Sequence, residues 1–205
     1  TFNSEAGQRA LQWFVDLYKA KAVPAGTTSY VWDDLGQGFA SGTVALNLDW
    51  PGWAGFFNDP AASKAAGNVG VAVQPMGSVK RTGWSGHHGF SVTNDCVNKD
   101  AAVSLISFLT SEESQLAESA GGSLPTRTAV WEANLAAAKN GDDAFRLESL
   151  AAFAEGAKHS FAVPSIPEWI ETTNIVFPEL QAAILGDETV KEALDSAAEE
   201  VDELI

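Results

Sequence analysis

The sequence predicts an α/β fold of many helices and small, broken sheets. Three observations carry that expectation. Helix start and stop signals recur along most of the chain. The apolar runs at 43–48, 68–73 and 90–92 have strand length rather than helix length. Each run meets Gly, Pro, Asn or Asp at its end, so the chain turns away instead of extending into a large sheet.

Ser4 is a good N-cap for a first helix carrying Leu11, Phe14, Val15, Leu17 and Tyr18 at helical spacing. Lys19 and Lys21 suit its C-terminal end, and Val23–Pro24 terminates it. Residues 26–33 read as loop, with Trp32 in it, followed by a short amphipathic segment at 34–39. Thr43 to Trp53, TVALNLDWPGW, comes next. Val44, Ala45, Leu46 and Leu48 predict a strand buried on both faces. Pro51 and Gly52 break it at a corner that holds Asp49, Trp50 and Trp53.

NVGVAV at 68–73 is a second expected strand, closed by Gln74–Pro75. A glycine-punctuated stretch, 77–89, holds Trp84, His87 and His88, and a short strand follows at 90–92. Helices are predicted over 101–109, 111–120, 130–139, 143–155 and 169–185, the last containing Pro178 and stopped by Gly186. Residues 159–167 contain two prolines and read as extended. Thr189 and Glu192 form a capping-box pattern for a final helix ending near Leu204.

The 205-residue chain is long enough for a sizeable core. Its formal charge of −15 disfavours nucleic acid and anionic membrane surfaces, which both need basic patches. The single cysteine, Cys96, forms no internal disulfide and is read as a small buried hydrophobe. No apolar run reaches the length of a membrane span. The chain starts at Thr1, directly ahead of a helix signal, and reads as a piece of something longer.

Most catalytic chemistries find no support. His87 and His88 are adjacent, so their side chains diverge, and no Cys or carboxylate falls at ligand spacing around them. No metal or cofactor is expected. Gly83 to Gly89 lacks the Lys–Ser/Thr ending of a phosphate loop. A glycosidase needs two facing carboxylates. Asp49 and Glu168 are the candidates because each adjoins a tryptophan, but an enzyme is not the expectation. Seven tryptophans remain to be explained. Trp13 and Trp131 lie in helices and are expected in the core. Trp32, Trp50, Trp53, Trp84 and Trp169 each stand beside Gly, Pro, Asp or Glu. Aromatic faces with nearby polar groups describe a site for a neutral, polyhydroxylated ligand, whose C–H face stacks on a ring.

These segments, in this order, resemble the C-terminal part of the extracellular solute-binding proteins of ATP-driven sugar importers, the maltose-binding-protein-like family. The resemblance rests on FNSEAGQRALQWFVDLYK, DDLGQGFASGTVALNLDWPGW, NVGVAVQPMG, KDAAVSLISFLTSEESQLAESAGG, LPTR, PSIPEW and LGDETVKEALDSAAEEVDEL. It implies a periplasmic-binding-protein-like two-lobe fold, here mostly the C-terminal lobe with part of the N-terminal lobe. In that pattern 1–80 and 126–205 belong to the C-terminal lobe. Residues 81–125 form the crossing segment and part of the N-terminal lobe.

The resemblance implies a non-catalytic protein, extracellular or periplasmic. It captures a sugar or oligosaccharide for the membrane permease of an ABC-type importer, as a monomer when full length. Anchoring by an upstream lipidated N-terminus belongs to the same expectation. A non-transport carbohydrate-sensing or interaction module of the same fold is the alternative. Carried over by position, Trp50, Trp53, Trp84 and Trp169 are expected to face ligand. Asp49, Trp32, His87 and, at the hinge after Leu-Pro-Thr, Arg127 complete the expected ligand-binding set.

Overall fold

The computed structural model describes residues 2–86, 88–120 and 122–205. Its contacts divide it into two compact units, Thr1–Leu35 with Pro164–Ile205, and Gly36–Val163.

The first unit is built on three long helices, α1 (Glu5–Lys19), α8 (Trp169–Leu185) and α9 (Val190–Leu204). Local chemistry sets their ends. The Ser4 hydroxyl accepts from the Gly7 amide at 3.3 Å and caps α1. The Thr189 hydroxyl accepts from the Glu192 amide at 3.2 Å, while the Glu192 carboxylate accepts from the Thr189 amide at 3.0 Å. That reciprocal pair closes the capping box expected for α9. Gly186 ends α8 at φ 88°, a left-handed conformation that favours glycine, and the Asp187 amide reaches back to the Ala182 carbonyl at 3.0 Å. Pro178 lies inside α8 without ending it.

The core of this unit is Leu11, Ala183, Ala193 and Leu194, with Leu180, Ile184 and Val190 packed against it. Trp13 is not part of it. Its side chain is 58% exposed and meets Phe14 edge-on at 4.9 Å. The reason is angular. Leu11 and Val15, one turn apart, define the buried stripe of α1, and Trp13 lies about 200° round the helix from Leu11. Trp32, expected in a loop, is instead the first residue of α2 (Trp32–Ala40), whose second half belongs to the other unit.

The second unit continues with α3 (Trp53–Phe57), β1 (Gly83–Ser85), α4 (Lys99–Leu109), α5 (Glu112–Ala120), α6 (Thr128–Asn140), α7 (Ala144–Ala157) and β2 (Ser160–Ala162). The five helices expected between 101 and 185 all form within three residues of their expected bounds. A buried polar node ties α5, α6 and α7 together. The Arg146 guanidinium donates to the Ser119 carbonyl at 2.8 Å and to Asn134 Oδ1 at 3.1 Å, and the Ser119 hydroxyl donates to the same Oδ1. Val130, Ala138 and Leu150 are buried in the same helices. Trp131 is half-buried, and Cys96 is half-buried rather than enclosed.

The strand expectations fare differently. None of the runs 43–48, 68–73 and 90–92 forms a strand. Leu46 and Leu48, expected to be buried on both faces, are 89% and 77% exposed. A strand exists only through a partner's N–H and C=O groups, and among the described residues the only sheet is β1 with β2. Those two pair in parallel, Gly83 opposite Ser160, Trp84 opposite Phe161 and Ser85 opposite Ala162.

Candidate ligand-binding site

The Asp49–Trp53 corner lies in the second unit. The Trp50 amide donates to Asp49 Oδ1 at 2.6 Å, which folds the carboxylate onto its own backbone. Pro51 and Gly52 then turn the chain so that the amides of Trp53 and Ala54 reach the carbonyls of Trp50 and Pro51, at 3.3 and 3.2 Å, and α3 begins. The Trp50 indole lies back over Gly52. A Cβ at Gly52 would stand 2.1 Å from a ring carbon, so only glycine fits beneath this ring. About half of Trp50 remains exposed.

Trp53 has a different role. Its ring stacks on Phe57 at 5.6 Å and 10°, and tilts against Phe56 at 5.3 Å. It also fills the space over Gly36 of α2, where a Cβ would stand 2.7 Å from the indole. Phe39 meets Phe57 at 4.6 Å and completes the α2–α3 contact. This tryptophan is an anchor between two helices.

Trp84 sits at the centre of β1. It repeats the arrangement of Trp50: the ring folds over Gly86, two residues on, where a Cβ would be 2.6 Å from the ring. Both tryptophans thus occur as Trp-x-Gly, Trp50-Pro-Gly52 and Trp84-Ser-Gly86. The glycine leaves room for an indole to lie close to the backbone. Trp84 is 69% exposed.

Arg127 precedes α6. Its Nε donates to the Thr110 carbonyl at the end of α4, at 2.7 Å, and its amide donates to Gln115 Oε1 at 3.1 Å. The Thr126 amide uses the same oxygen at 3.0 Å, and Gln115 Nε2 returns a bond to the Thr126 hydroxyl at 3.0 Å. Arg127 and the buried side chain of Gln115 therefore fasten the Leu-Pro-Thr-Arg turn to the α4–α5 corner. The sequence reading missed Gln115, whose signal is only its spacing of 11 and 12 residues from the turn it holds.

Trp32 and Trp169 belong to the first unit, where each opens a helix. Trp169 is half-buried and its amide donates to the Ile166 carbonyl at 3.3 Å. His87 lies outside the described residues. Asp49 is in the second unit and Glu168, its expected carboxylate partner, in the first. The described residues contain no group of three or more His, Cys, Asp or Glu able to hold a metal ion, and no helix long and apolar enough to cross a membrane. A cavity of about 380 Å³ in the first unit is lined by Gln12, Val15, Lys19, Ala183, Gly186 and Thr189 among others, and none of the expected site residues reaches it.

The whole chain superposes on maltose-bound MalE3 of T. maritima with a TM-score of 0.80 and 30% identity, covering 52% of that protein. It also superposes, over 98% of its length, on a solute-binding protein of Thermotoga lettingae bound with alpha-D-tagatose, with a TM-score of 0.76 and 26% identity, covering 50% of that chain. Over 113 residues it is 27% identical to a probable amino-acid ABC transporter periplasmic-binding protein of Sinorhizobium fredii, a match that covers 55% of this chain and 25% of the relative. The chain thus spans about half the length of the solved structures and a quarter of that curated relative. The fold is that of the periplasmic-binding proteins, matched over about half of each two-lobe chain. Residues 1–116 match the model of the bacterial extracellular solute-binding proteins, and the chain belongs to that family.

Proposed function

We propose that the protein captures a neutral sugar or oligosaccharide outside the cytoplasm and delivers it to the membrane permease of an ATP-driven importer. One observation carries the ligand class. Trp50 and Trp84 each keep about half or more of the residue exposed, with the indole close to the glycine two residues on. A flat aromatic face held against the backbone is a stacking surface for the C–H side of a sugar ring. It offers nothing to a carboxylate, and the net charge of −15 opposes an anionic solute. The two sugar-bound relatives support the same class.

The name of the Sinorhizobium fredii relative makes amino acids the competing class. Calorimetric titration with neutral mono- and disaccharides and with the common amino acids separates the two. Saturable heat with at least one carbohydrate, and none with amino acids, is expected. Heat from an amino acid alone overturns the carbohydrate reading and leaves the family assignment intact.

A further inference from the structure

We propose that Phe161 is a second stacking residue and that, with Trp84, it makes a two-ring platform for a saccharide of at least two units. The inference rests on the carbohydrate reading and deepens it. β1 and β2 pair in parallel with Trp84 directly opposite Phe161. Side chains alternate between the faces of a strand, so register partners on neighbouring strands project from the same face. The two aromatic residues therefore stand side by side at a strand separation of about 4.8 Å.

Both side chains are largely exposed. Trp84 is 69% exposed and Phe161 is 60% exposed. The flanking register pairs, Gly83 with Ser160 and Ser85 with Ala162, project from the opposite face; on the rings' own face the neighbours along the chain are Thr82 and Gly86 beside Trp84, and His159 and Val163 beside Phe161. Gly86 lets the indole lie down against the chain. Aromatic rather than aliphatic side chains at both positions select a ligand with a flat C–H face, and the relatives bound to maltose and tagatose hold ligands of that chemistry. A sugar ring is about as wide as one aromatic ring. Two aromatic side chains rooted on register partners of neighbouring strands therefore offer stacking surface to two linked sugar units rather than one.

The test is calorimetric titration of the protein with glucose, tagatose, maltose and cellobiose, on the wild type and on Phe161→Ala, Phe161→Leu, Phe161→Tyr and Trp84→Ala. A disaccharide is expected to bind at least about tenfold more tightly than the monosaccharides. Phe161→Ala and Phe161→Leu should each lose about tenfold in disaccharide affinity and less than about twofold for a monosaccharide, with Phe161→Tyr near wild type. Phe161→Leu keeps apolar bulk and controls for a folding defect, which far-UV circular dichroism reports directly. Unchanged disaccharide affinity in Phe161→Leu, beside a loss in Trp84→Ala, overturns the platform and leaves the carbohydrate reading standing. Equal affinity of the wild type for monosaccharide and disaccharide also overturns it. Failure of all four sugars to bind the wild type overturns the platform and counts against the carbohydrate reading.

Discussion

The helices α1, α8 and α9 of the first unit and the segment 41–52 of the second, ahead of α3, both carry apolar residues and have opposite outcomes. The helices satisfy most of their backbone groups internally; α1 and α9 start on side-chain caps three residues before the amide they accept from, and α8 stops at Gly186. They then bury Leu11, Ala193 and Leu194 against one another. In the segment, the apolar run at 43–48 has no pairing partner among the described residues and exposes Leu46 and Leu48. Apolar content alone does not bury a residue. A helix brings its own hydrogen bonds to the packing event, whereas a strand borrows them from another piece of chain.

The contrast is sharpest for core leucines. Leu194→Ala, which empties a nearly fully buried position, should cost about 2–5 kcal/mol of unfolding free energy in urea melts. Leu46→Ala should stay within about ±0.5 kcal/mol, as for other exposed positions. Equal losses at the two sites would mean that the segment is packed in solution, and the comparison would break.

Next in size is the split between two tryptophans of one corner. Trp53→Ala removes the ring stacked on Phe57 and seated over Gly36, and should cost about 2–3 kcal/mol of stability, short of the roughly 3–5 for a fully buried ring. Trp50→Ala should leave the melt unchanged and weaken carbohydrate binding by about 1–3 kcal/mol. Melts and titrations on the same two variants check both halves. A stability loss in Trp50→Ala with unchanged binding would reverse its role.

Thr189→Ala should cost about 0.5–2 kcal/mol through the lost cap. It should also change the acid response. The Thr189 hydroxyl and amide hold the Glu192 carboxyl below its usual range, and Lys191, followed by Asn3, does the same for Asp195. A carboxyl whose folded-state pKa is depressed contributes stability that is complete above its unfolded pKa and is lost as pH falls through the folded one. The unfolded values lie near 4, at about 3.9 for Asp and 4.3 for Glu, so this loss belongs below about pH 4. Glu179 has the opposite sign. Burial, and then Glu188 beside it, raise its carboxyl, so its protonation favours the folded form and offsets part of the loss. Melting temperatures between pH 3 and 7 should fall less steeply on acidification in Thr189→Ala than in the wild type. Identical slopes would remove Glu192 from the account.

The smallest effect is expected at Trp13. Trp13→Ala should change stability by no more than about 0.5 kcal/mol in a urea melt, because the ring touches Phe14 and faces solvent. A larger loss would place Trp13 back in the core.

Helix existence and helix ends were legible because their causes are local. Ser4, Asp143, Thr189 and Gly186 act on backbone groups a few residues away, so the pattern and its cause lie in the same window of sequence. The outward position of Trp13 is local too, set by its angle from the buried Leu11 and Val15 and not by its size. The Trp-x-Gly spacing at Trp50 and Trp84 is also plain in the sequence, and the structure shows what accompanies it, an indole close to a glycine. Other features depend on distant residues. Trp53 is an anchor because Gly36 leaves room for it, and no local pattern links positions 36 and 53. Arg127 is held by Thr110 and Gln115, more than ten residues back. Phe161 stands beside Trp84 only through a register formed across more than seventy residues. Caps and helical stripes are decided by neighbours the sequence lists in order. Strand partners, ring seats and turn clamps are decided by which distant backbone arrives, and that is settled only when the chain packs.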